Sequence, residues 1–321
     1  MADAPDFMTE QQGFISLLSD LGVIRASGED ARHFLHNQLT NDIDHLTADE
    51  ARLAGYCSPK GRLLASLLTW PTDDGILMIL PRSVLSGFQK RLQMFIMRSQ
   101  VRLEDVSHLL AAVGIGIPDT RQLTALPELP YRTLPVAGGR LIRLSDSPGW
   151  RRALWVGPVA QREAWLATLP AGVSERPESF WRWLEIRAGV PQILEATREQ
   201  FVPQMVNFEL VGGVNFRKGC YPGQEVVARS QYLGKLKRRM MLASLEVPDP
   251  LIAAPGTEVF SAADPAQPAG MIVNAEPGPD GHVDCLVEIK TDALEGSVHV
   301  GTAEGPLLTF GVLPYSLEMT V

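Results

Sequence analysis

The spacing of apolar residues changes near residue 237, and this change constrains the fold more than any other feature of the chain. Before it, segments with helical spacing alternate with short apolar runs typical of strands. After it come only short extended runs separated by proline and glycine turns, at residues 240–247, 257–260, 269–273, 283–289 and 307–312. The pattern predicts a mixed α and β region over residues 1–235 and a small β-barrel or sandwich over residues 236–321.

The first region is predicted to alternate strands and helices. Turns rich in proline, glycine and aspartate separate three apolar runs, at residues 53–57, 62–70 and 76–80, and predict a three-stranded meander. Apolar residues at helical spacing predict helices at residues 31–39, 83–97, 159–169 and 178–188, and extended runs predict strands at 23–26 and 109–117 and from Leu141 and Ala153. Residues 123–135 carry three prolines and no periodicity, which predicts a connector between two subdomains.

Length and composition bound the class of protein. A chain of 321 residues is long enough for two or three domains of the usual ~100–200 residues. Its three cysteines, Cys57, Cys220 and Cys285, lie far apart and show no paired spacing, so a reducing compartment fits better than a disulfide framework. The N-terminus is acidic, unlike a signal peptide, and no uncharged apolar stretch approaches the ~18 residues of a membrane span. We therefore expect a cytoplasmic protein that does not contact a membrane.

Common catalytic and metal-binding motifs are missing from the sequence. The six histidines form no HExxH motif and the cysteines form no ligand pairs, so no metal site is expected. The chain also has no GxGxxG motif after a predicted strand, no P-loop and no G-x-S-x-G elbow.

The most unusual stretch covers residues 212–225. Glycines on both sides of a Cys-Tyr-Pro turn permit positive φ or the close approach of a ligand, although a plain turn would also explain them. A lone cysteine is more often a small buried apolar residue than a nucleophile, but Lys218 beside Cys220 would favour a thiolate in an open site. Gln224 and Glu225 follow the turn, where a carboxylate either caps a helix or contacts a heteroaromatic ligand.

A basic segment overlaps this stretch. Residues 214–240 carry seven basic side chains and one acidic side chain, a net charge of +6 in a chain of net charge −8: Arg217, Lys218, Arg229, Lys235, Lys237, Arg238 and Arg239 against Glu225. Such a run is either a solvated face or a site for a polyanion, meaning an oligocarboxylate tail or a phosphate backbone.

Several motifs together resemble one known family. The run KGCYPGQEVVAR at residues 218–229 resembles the K-G-C-Y-x-G-Q-E signature of the YgfZ-type folate-binding proteins, relatives of the glycine cleavage T protein, an aminomethyltransferase. Five further segments match that family's patterns, at residues 38–42 (QLTND), 57–62 (CSPKGR), 188–191 (AGVP), 201–204 (FVPQ) and 313–318 (LPYSLE). The resemblance extends over nearly the whole chain.

The resemblance implies a fold, a cofactor and a role. The fold is α+β, with two mixed lobes and a C-terminal antiparallel barrel around a central channel. The channel would hold tetrahydrofolate or a one-carbon derivative, and the role would be the maintenance of iron–sulfur proteins, including those that thiolate tRNA. Its partners would be iron–sulfur proteins or their assembly factors, with an indirect link to tRNA. The catalytic positions it implies are Lys218 and Cys220, and the cofactor-binding positions are Tyr221, Gln224, Glu225, Arg229, Glu185, Arg187 and Asn207.

The sequence departs from the aminomethyltransferase pattern at two places. That enzyme has an acid after the strand-to-helix turn of one lobe, whereas residues 75–103 contain no Asp or Glu, and we place Gly87 at the acidic position. Arg187 occupies the usual glutamate position of the motif before Ala188-Gly189, and Glu185 lies about 200° away at ~3.6 residues per helical turn. Arg187 either pairs with a folate carboxylate or is structural.

Three functions compete at this stage. The leading hypothesis is a tetrahydrofolate-binding accessory protein for iron–sulfur proteins, in which Lys218 activates Cys220 and the basic segment holds the glutamate tail of the folate. The second is a folate-dependent aminomethyltransferase or demethylase that uses another base, such as Glu104 or Asp105. The third is an adaptor without catalysis that binds RNA or an acidic protein through the basic segment.

Overall fold

The computed structural model describes residues 13–119, 126–169, 172–232, 236–247 and 249–318. Within these ranges the strands form three sheets, which we number I to III, and five α-helices pack on or between them. No helix in the described part of the chain is long and apolar enough to cross a membrane.

Sheet I has five antiparallel strands and contains the predicted meander. The strands adjoin in the order β3-β4-β5-β2-β6, with bounds β2 Leu21–Ser27, β3 Arg52–Cys57, β4 Leu63–Thr72, β5 Gly75–Pro81 and β6 Arg102–Asp105. The helices α1 (Ala31–His36) and α2 (Arg82–Gln93) bury apolar side chains such as Leu35 and Phe88 on one face of this sheet. Glycine at position 75 permits the tight β4–β5 turn, because its φ is +136° and a Cβ would lie 2.2 Å from the carbonyl oxygen of Ala26.

Sheet II has six strands and packs against the other face of sheet I. Its strand order is β11-β1-β7-β10-β9-β8, and only the β1–β11 pair is parallel. The strand bounds are β1 Phe14–Leu17, β7 Leu110–Pro118, β8 Thr133–Val136, β9 Gly139–Arg143, β10 Trp150–Pro158 and β11 Ser174–Glu175. Helix α3 (Val159–Leu166) follows β10. Trp70 of sheet I and Leu154 of sheet II belong to the apolar cluster that joins the two sheets.

Sheet III is antiparallel throughout and curls into a half-barrel. Its order is β16-β13-β14-β15-β12-β17, with bounds β12 Arg238–Leu245, β13 Glu258–Ser261, β14 Gly270–Pro277, β15 Val283–Lys290, β16 Val298–Val300 and β17 Thr309–Phe310. Helix α5 (Gln224–Tyr232) precedes it, and α4 (Glu178–Arg187) contacts both β14 and β1. Trp181 and Leu184 of α4 also belong to the apolar cluster between sheets I and II, so this amphipathic helix lies where the three sheets meet.

Most elements agree with the sequence predictions, with a few corrections. Residues 133–135 of the predicted connector belong to the edge strand β8, where Pro135 is tolerated because an edge strand needs no complete ladder. Residues 123–125 lie outside the described part. The predicted helix 83–97 ends at Gln93. Sheet II takes strands from both sides of the connector, so the subdomains interleave along the chain. The boundary at residues 235/236 stays a prediction.

Candidate functional site

Two adjoining cavities lie where α4 meets the three sheets. One, of about 80 Å³, is lined mainly by apolar side chains of sheets I and II, together with Trp181 and Glu185 of α4. The other, of about 620 Å³, opens between the start of α2, α4 and strand β14 of sheet III. Pro81, Glu185, Val190 and Gln192 line both cavities, which therefore share one wall.

Glu185 is the acidic group shared by both cavities, and it pairs with a buried arginine. The carboxylate Oε1 atom lies 2.7 Å from Nη1 of Arg152, a residue of β10 that is only 1% exposed. Arg152 also donates from Nε to the carbonyl oxygen of Ser145 at 2.9 Å and lies over the Trp181 ring at 5.3 Å. Arg152 is thus held in place beside Glu185 as its ion-pair partner, and both cavities adjoin the Glu185 side chain.

Arg187 lies on a different side of α4 from Glu185. Its Nη1 atom is 3.4 Å from Oδ2 of Asp284 in β15, and it lines neither cavity. Arg187 and Glu185 therefore lie on different sides of α4, as their spacing predicts. Glu185 nevertheless lines both cavities without any change in the register of the helix. Of the two alternatives for Arg187, this contact supports the structural one.

The strand-to-helix turn contributes no acid to the cavity. Pro81, Arg82 and Ser83 line the larger cavity at this turn, whereas Gly87 lies a turn further along α2 and lines neither cavity. Every acidic residue of the cavity lining pairs with an arginine, in four contacts: Glu185–Arg152 (2.7 Å), Glu276–Arg182 (2.7 Å), Asp20–Arg182 (3.1 Å) and Glu195–Arg198 (3.0 Å).

Asp20 differs from the other acids of the lining. Burial and the neighbouring Glu178 carboxyl raise the pKa of Asp20 to about 6, against the opposing effect of Arg182. Glu104 and Asp105, the bases suggested by the sequence, lie on β6 outside both cavities. Hydrogen bonds and nearby cations lower the pKa of both carboxyls.

Lys218 of the signature is directed toward helix α1 and away from solvent. Its ammonium group donates to the carbonyl oxygen of His36 and, at 2.8 Å, to that of Leu39, and it lies 4.9 Å from the centre of the Tyr221 ring. Burial lowers the pKa of Lys218 to about 8, although Asp42 and Asp44 oppose this effect. The lysine therefore ties the signature turn to the carbonyl end of α1, as cations at helix C-termini do.

The other signature residues fall into buried and exposed groups. The Tyr221 ring is buried, and burial raises the pKa of its hydroxyl. Gln224 begins α5 and is partly buried. Cys220, Glu225 and Arg229 are exposed. The structure thus has a free, exposed thiol on a turn that Lys218 and the buried Tyr221 ring anchor to the rest of the protein.

Two of the family motifs meet at a pair of glycines. Gly223 has a φ of +78°, and a Cβ there would lie 2.6 Å from the nitrogen of Gly61 and 2.4 Å from the carbonyl oxygen of Ser58. Gly61 has a φ of +71° and packs equally closely on Val226 of α5. The 57–62 turn and the signature turn therefore form one unit, which larger side chains would separate.

The remaining motif residues hold this unit in place. The Thr40 hydroxyl donates to the carbonyl oxygen of Gly213 at 2.5 Å and accepts from the amide of Gly55 at 2.7 Å. The buried Asn207 donates to the carbonyl oxygen of Met240 at 2.8 Å and lines neither cavity. Asn207 thus connects the chain before the signature to sheet III.

The basic segment does not act as a unit. Arg239 pairs with Glu209, Arg238 pairs with Glu288, and Lys218 is bound to carbonyl groups. None of the segment's described basic residues lines either cavity, and Lys235 lies outside the described residues. The hypothesis that this segment holds a folate tail in the channel is therefore not supported by the cavity lining.

Comparisons with known proteins identify the family. No protein-family model matches the chain. It is 27% identical over 305 residues to the tRNA-modifying protein YgfZ of Vibrio atlanticus (strain LGP32), covering 94% of this chain and 92% of that protein. It is 32% identical over 230 residues to the YgfZ protein of Yersinia pestis (strain Pestoides F), covering 70% of this chain and 68% of that protein. The chain belongs to the YgfZ family.

A solved structure confirms the fold class predicted from the YgfZ resemblance. The glycine cleavage system aminomethyltransferase T from Bartonella henselae matches with a TM-score of 0.72 at 14% sequence identity, covering 95% of this chain and 87% of that one. This YgfZ-family chain therefore has the T-protein fold. Among its described residues, no group of three or more His, Cys, Asp or Glu side chains is placed to hold a metal ion.

The two signature glycines offer a matched test of how this YgfZ-family site is held. We expect Gly223→Ala to lower the free energy of unfolding by about 1–3 kcal/mol, because the side chain meets backbone atoms at positive φ. Gly219→Ala should change it by less than about 0.5 kcal/mol, because its Cβ finds no atom closer than 3.6 Å, the distance to Nε2 of His36. Urea unfolding measures both, and equal losses would contradict the packing described here.

Sequence reasoning missed several residues of the cavity. Arg152 lies in the middle of a strand and 33 positions before Glu185, so no local pattern links the two residues. Asp20 lies in the turn before β2, Arg82 begins α2 and Arg182 lies on α4, so these residues come from distant parts of the chain. The one available signal was the pair of arginines, Arg151 and Arg152, directly before the apolar strand predicted from Ala153.

Proposed function

We propose that this chain is a tetrahydrofolate-binding accessory protein for the assembly or maintenance of iron–sulfur proteins, including those that modify tRNA. Its curated relatives are named tRNA-modifying proteins, and its fold is that of an aminomethyltransferase. The observation that carries the proposal is the central cavity with the Glu185 carboxylate inside it. The cavity would hold the folate.

The chemistry of the lining fits a pterin ring. A reduced pterin presents a flat ring with several N–H donors along one edge, and a buried carboxylate is the strongest acceptor a protein offers to such donors. Glu185 would accept those hydrogen bonds, while Trp181, Leu154 and Val190 would contact the ring. Arg152 would keep the carboxylate oriented, because it is itself held by Ser145 and Trp181. Tetrahydrofolate, when bound, supplies a carrier for one-carbon units.

Glycine-cleavage chemistry is not favoured by this lining. Arg82 and Ser83 face the cavity from the strand-to-helix turn, and an arginine cannot act as a general base at neutral pH. Asp20 favours a second candidate, a folate-dependent one-carbon transfer, because a carboxyl of pKa about 6 can exchange protons near neutral pH. Substrate-dependent formation of methylene-tetrahydrofolate that Asp20→Asn abolishes would establish this second candidate.

Cys220 is proposed as the reactive group of the accessory role, with Lys218 as a positioning residue. Cys220 is the exposed thiol, whereas Cys57 and Cys285 are buried and burial raises the pKa of both thiols. Tyr221, Gln224, Glu225 and Arg229 would form its surroundings. Asn207 is proposed to support the signature from behind.

A genetic test follows from the exposure of this thiol. In a strain that lacks its own copy of the protein, Cys220→Ser should fail to restore the activity of an iron–sulfur enzyme. Cys285→Ala is the matched control and should restore it, because that thiol is buried in sheet III. Full restoration by Cys220→Ser, at the same protein level, would show that the thiol has no role.

A further inference from the structure

The surface around Cys220 combines cations with an exposed aromatic ring. We call this surface the signature face and define it by Lys60, Arg217, Cys220, Arg229 and Tyr232. Tyr232 is 70% exposed, an unusual fraction for so large a ring, and the other four residues are exposed as well.

Two contacts join these residues into one surface. The Phe216 ring lies edge-on to that of Tyr232, with centroids 6.0 Å apart, which places Arg217 near the end of α5. The turn that carries Lys60 packs on α5 through Gly61 and Val226. Arg229 precedes Tyr232 by three residues on the same helix, so both side chains lie on one side of it.

The cations of the signature face have no acidic partners within the described part of the chain. Lys60, Arg217 and Arg229 take part in no ion pair there, unlike Arg238 and Arg239 of the same basic segment. Glu225 is the one acid on the exposed side of α5 next to them, which leaves a local excess of positive charge. The signature face is therefore positively charged, although the whole protein has a net charge of −8.

We propose that the signature face binds single-stranded or loop RNA, with phosphates on Lys60, Arg217 and Arg229 and an unstacked base on Tyr232. RNA loops are recognised by this combination of cations and aromatic rings, because their bases are free to stack on side chains. Phe216 contacts the Tyr232 ring edge-on, and 70% of Tyr232 remains exposed for stacking. Cys220 lies on the turn before α5, three residues after the proposed phosphate contact at Arg217. This inference depends on the proposed function only for the role of that thiol.

An acidic protein or a polyglutamate tail fits the surface less well. Neither would use a single exposed ring flanked by cations, whereas a nucleotide supplies both a phosphate and a flat base. The folate cavity is lined by other residues, so RNA and folate would not compete for the same side chains.

Fluorescence anisotropy with a labelled, unmodified tRNA transcript tests the proposal. Arg217→Ala/Arg229→Ala should reduce the slope of log affinity against log salt by about 1.4, the value for two lost phosphate contacts on a single strand. Tyr232→Ala should weaken binding by about fivefold to 100-fold, and Tyr232→Phe should preserve it, since stacking needs only the ring. Lys90→Ala/Arg98→Ala is the matched control, because it removes the same charge from the surface at α2.

The outcomes separate this inference from the folate proposal. Binding to the transcript that depends on Tyr232 and is unaffected in the control supports the signature face. The inference would be overturned if the protein did not bind the transcript at low salt, or if the control variant lost as much affinity as Arg217→Ala/Arg229→Ala. It would also be overturned if an RNA duplex and polyglutamate bound as tightly as the transcript. A tetrahydrofolate titration of Tyr232→Ala should match the unaltered protein, so a failure of RNA binding leaves the folate proposal standing, and the reverse also holds.

Discussion

Glu185→Ala is expected to lower the free energy of unfolding by about 3–5 kcal/mol and to abolish tetrahydrofolate binding. The substitution leaves the guanidinium of Arg152, 1% exposed, without its carboxylate 2.7 Å away. Breaking a buried ion pair from one side is costly because the remaining charge keeps its desolvation penalty. Chemical denaturation measures the first effect and calorimetry with tetrahydrofolate measures the second.

Three further variants separate stability from folate binding. Glu185→Gln keeps the shape of the side chain and should weaken folate binding by about 10- to 100-fold, the loss of a hydrogen bond to a charged group. Arg152→Met/Glu185→Leu removes both charges and should recover most of the stability without recovering binding. Arg187→Gln is the control on the same helix and should bind folate normally, because Arg187 pairs with Asp284 outside the cavity. Normal binding by Glu185→Gln would contradict the assigned role.

Arg239→Met is expected to destabilise the protein by a similar amount, about 3–5 kcal/mol. Nη1 of Arg239 lies 2.5 Å from Oε1 of Glu209 and 3.0 Å from the carbonyl oxygen of Gln204. The Glu209 side chain is 3% exposed, and burial raises its pKa despite the arginine. Without Arg239 the carboxylate would be buried and unpaired.

The matched double variant tests this explanation. Arg239→Met/Glu209→Leu removes the whole pair and should be more stable than Arg239→Met alone, because no charge remains buried. Thermal and urea unfolding measure both variants. Arg238→Met is a second test of the same explanation at the neighbouring position, because its partner Glu288 is only 1% exposed and would also be left buried and unpaired. If the double variant were as unstable as Arg239→Met, the loss would be due to packing and not to the buried charge.

The sequence predicted the elements whose signals are local. The meander of sheet I appears at its predicted positions because apolar runs and proline or glycine turns are contiguous features. Short edge strands such as β6 and β16 were missed because three or four residues carry too little periodicity. The interleaving of sheet II was also missed, since the pairing of β1 with β7 joins residues about 100 positions apart.

The candidate site shows the same division between local and distant signals. The signature could be found in the sequence because it is contiguous, but the direction of Lys218 could not, since its partners His36 and Leu39 lie about 180 residues earlier. The hypothesis that Lys218 activates Cys220 rested on their closeness in sequence, whereas the ammonium group donates to those two carbonyl oxygens. For Glu185 and Arg187, the helical angle was predicted correctly, but the face that meets the cavity depends on how α4 packs between three sheets.

The central claim is that the cavity around Glu185 holds tetrahydrofolate, and a calorimetric titration of the purified protein tests it most directly. Tetrahydrofolate and its triglutamate form would be titrated at two salt concentrations. The account predicts binding of one molecule per chain, with similar affinity for both forms, because the lining of the larger cavity has four acids and only two arginines. Failure of both forms to bind would contradict the claim, and the protein would then be an adaptor that acts through its surface.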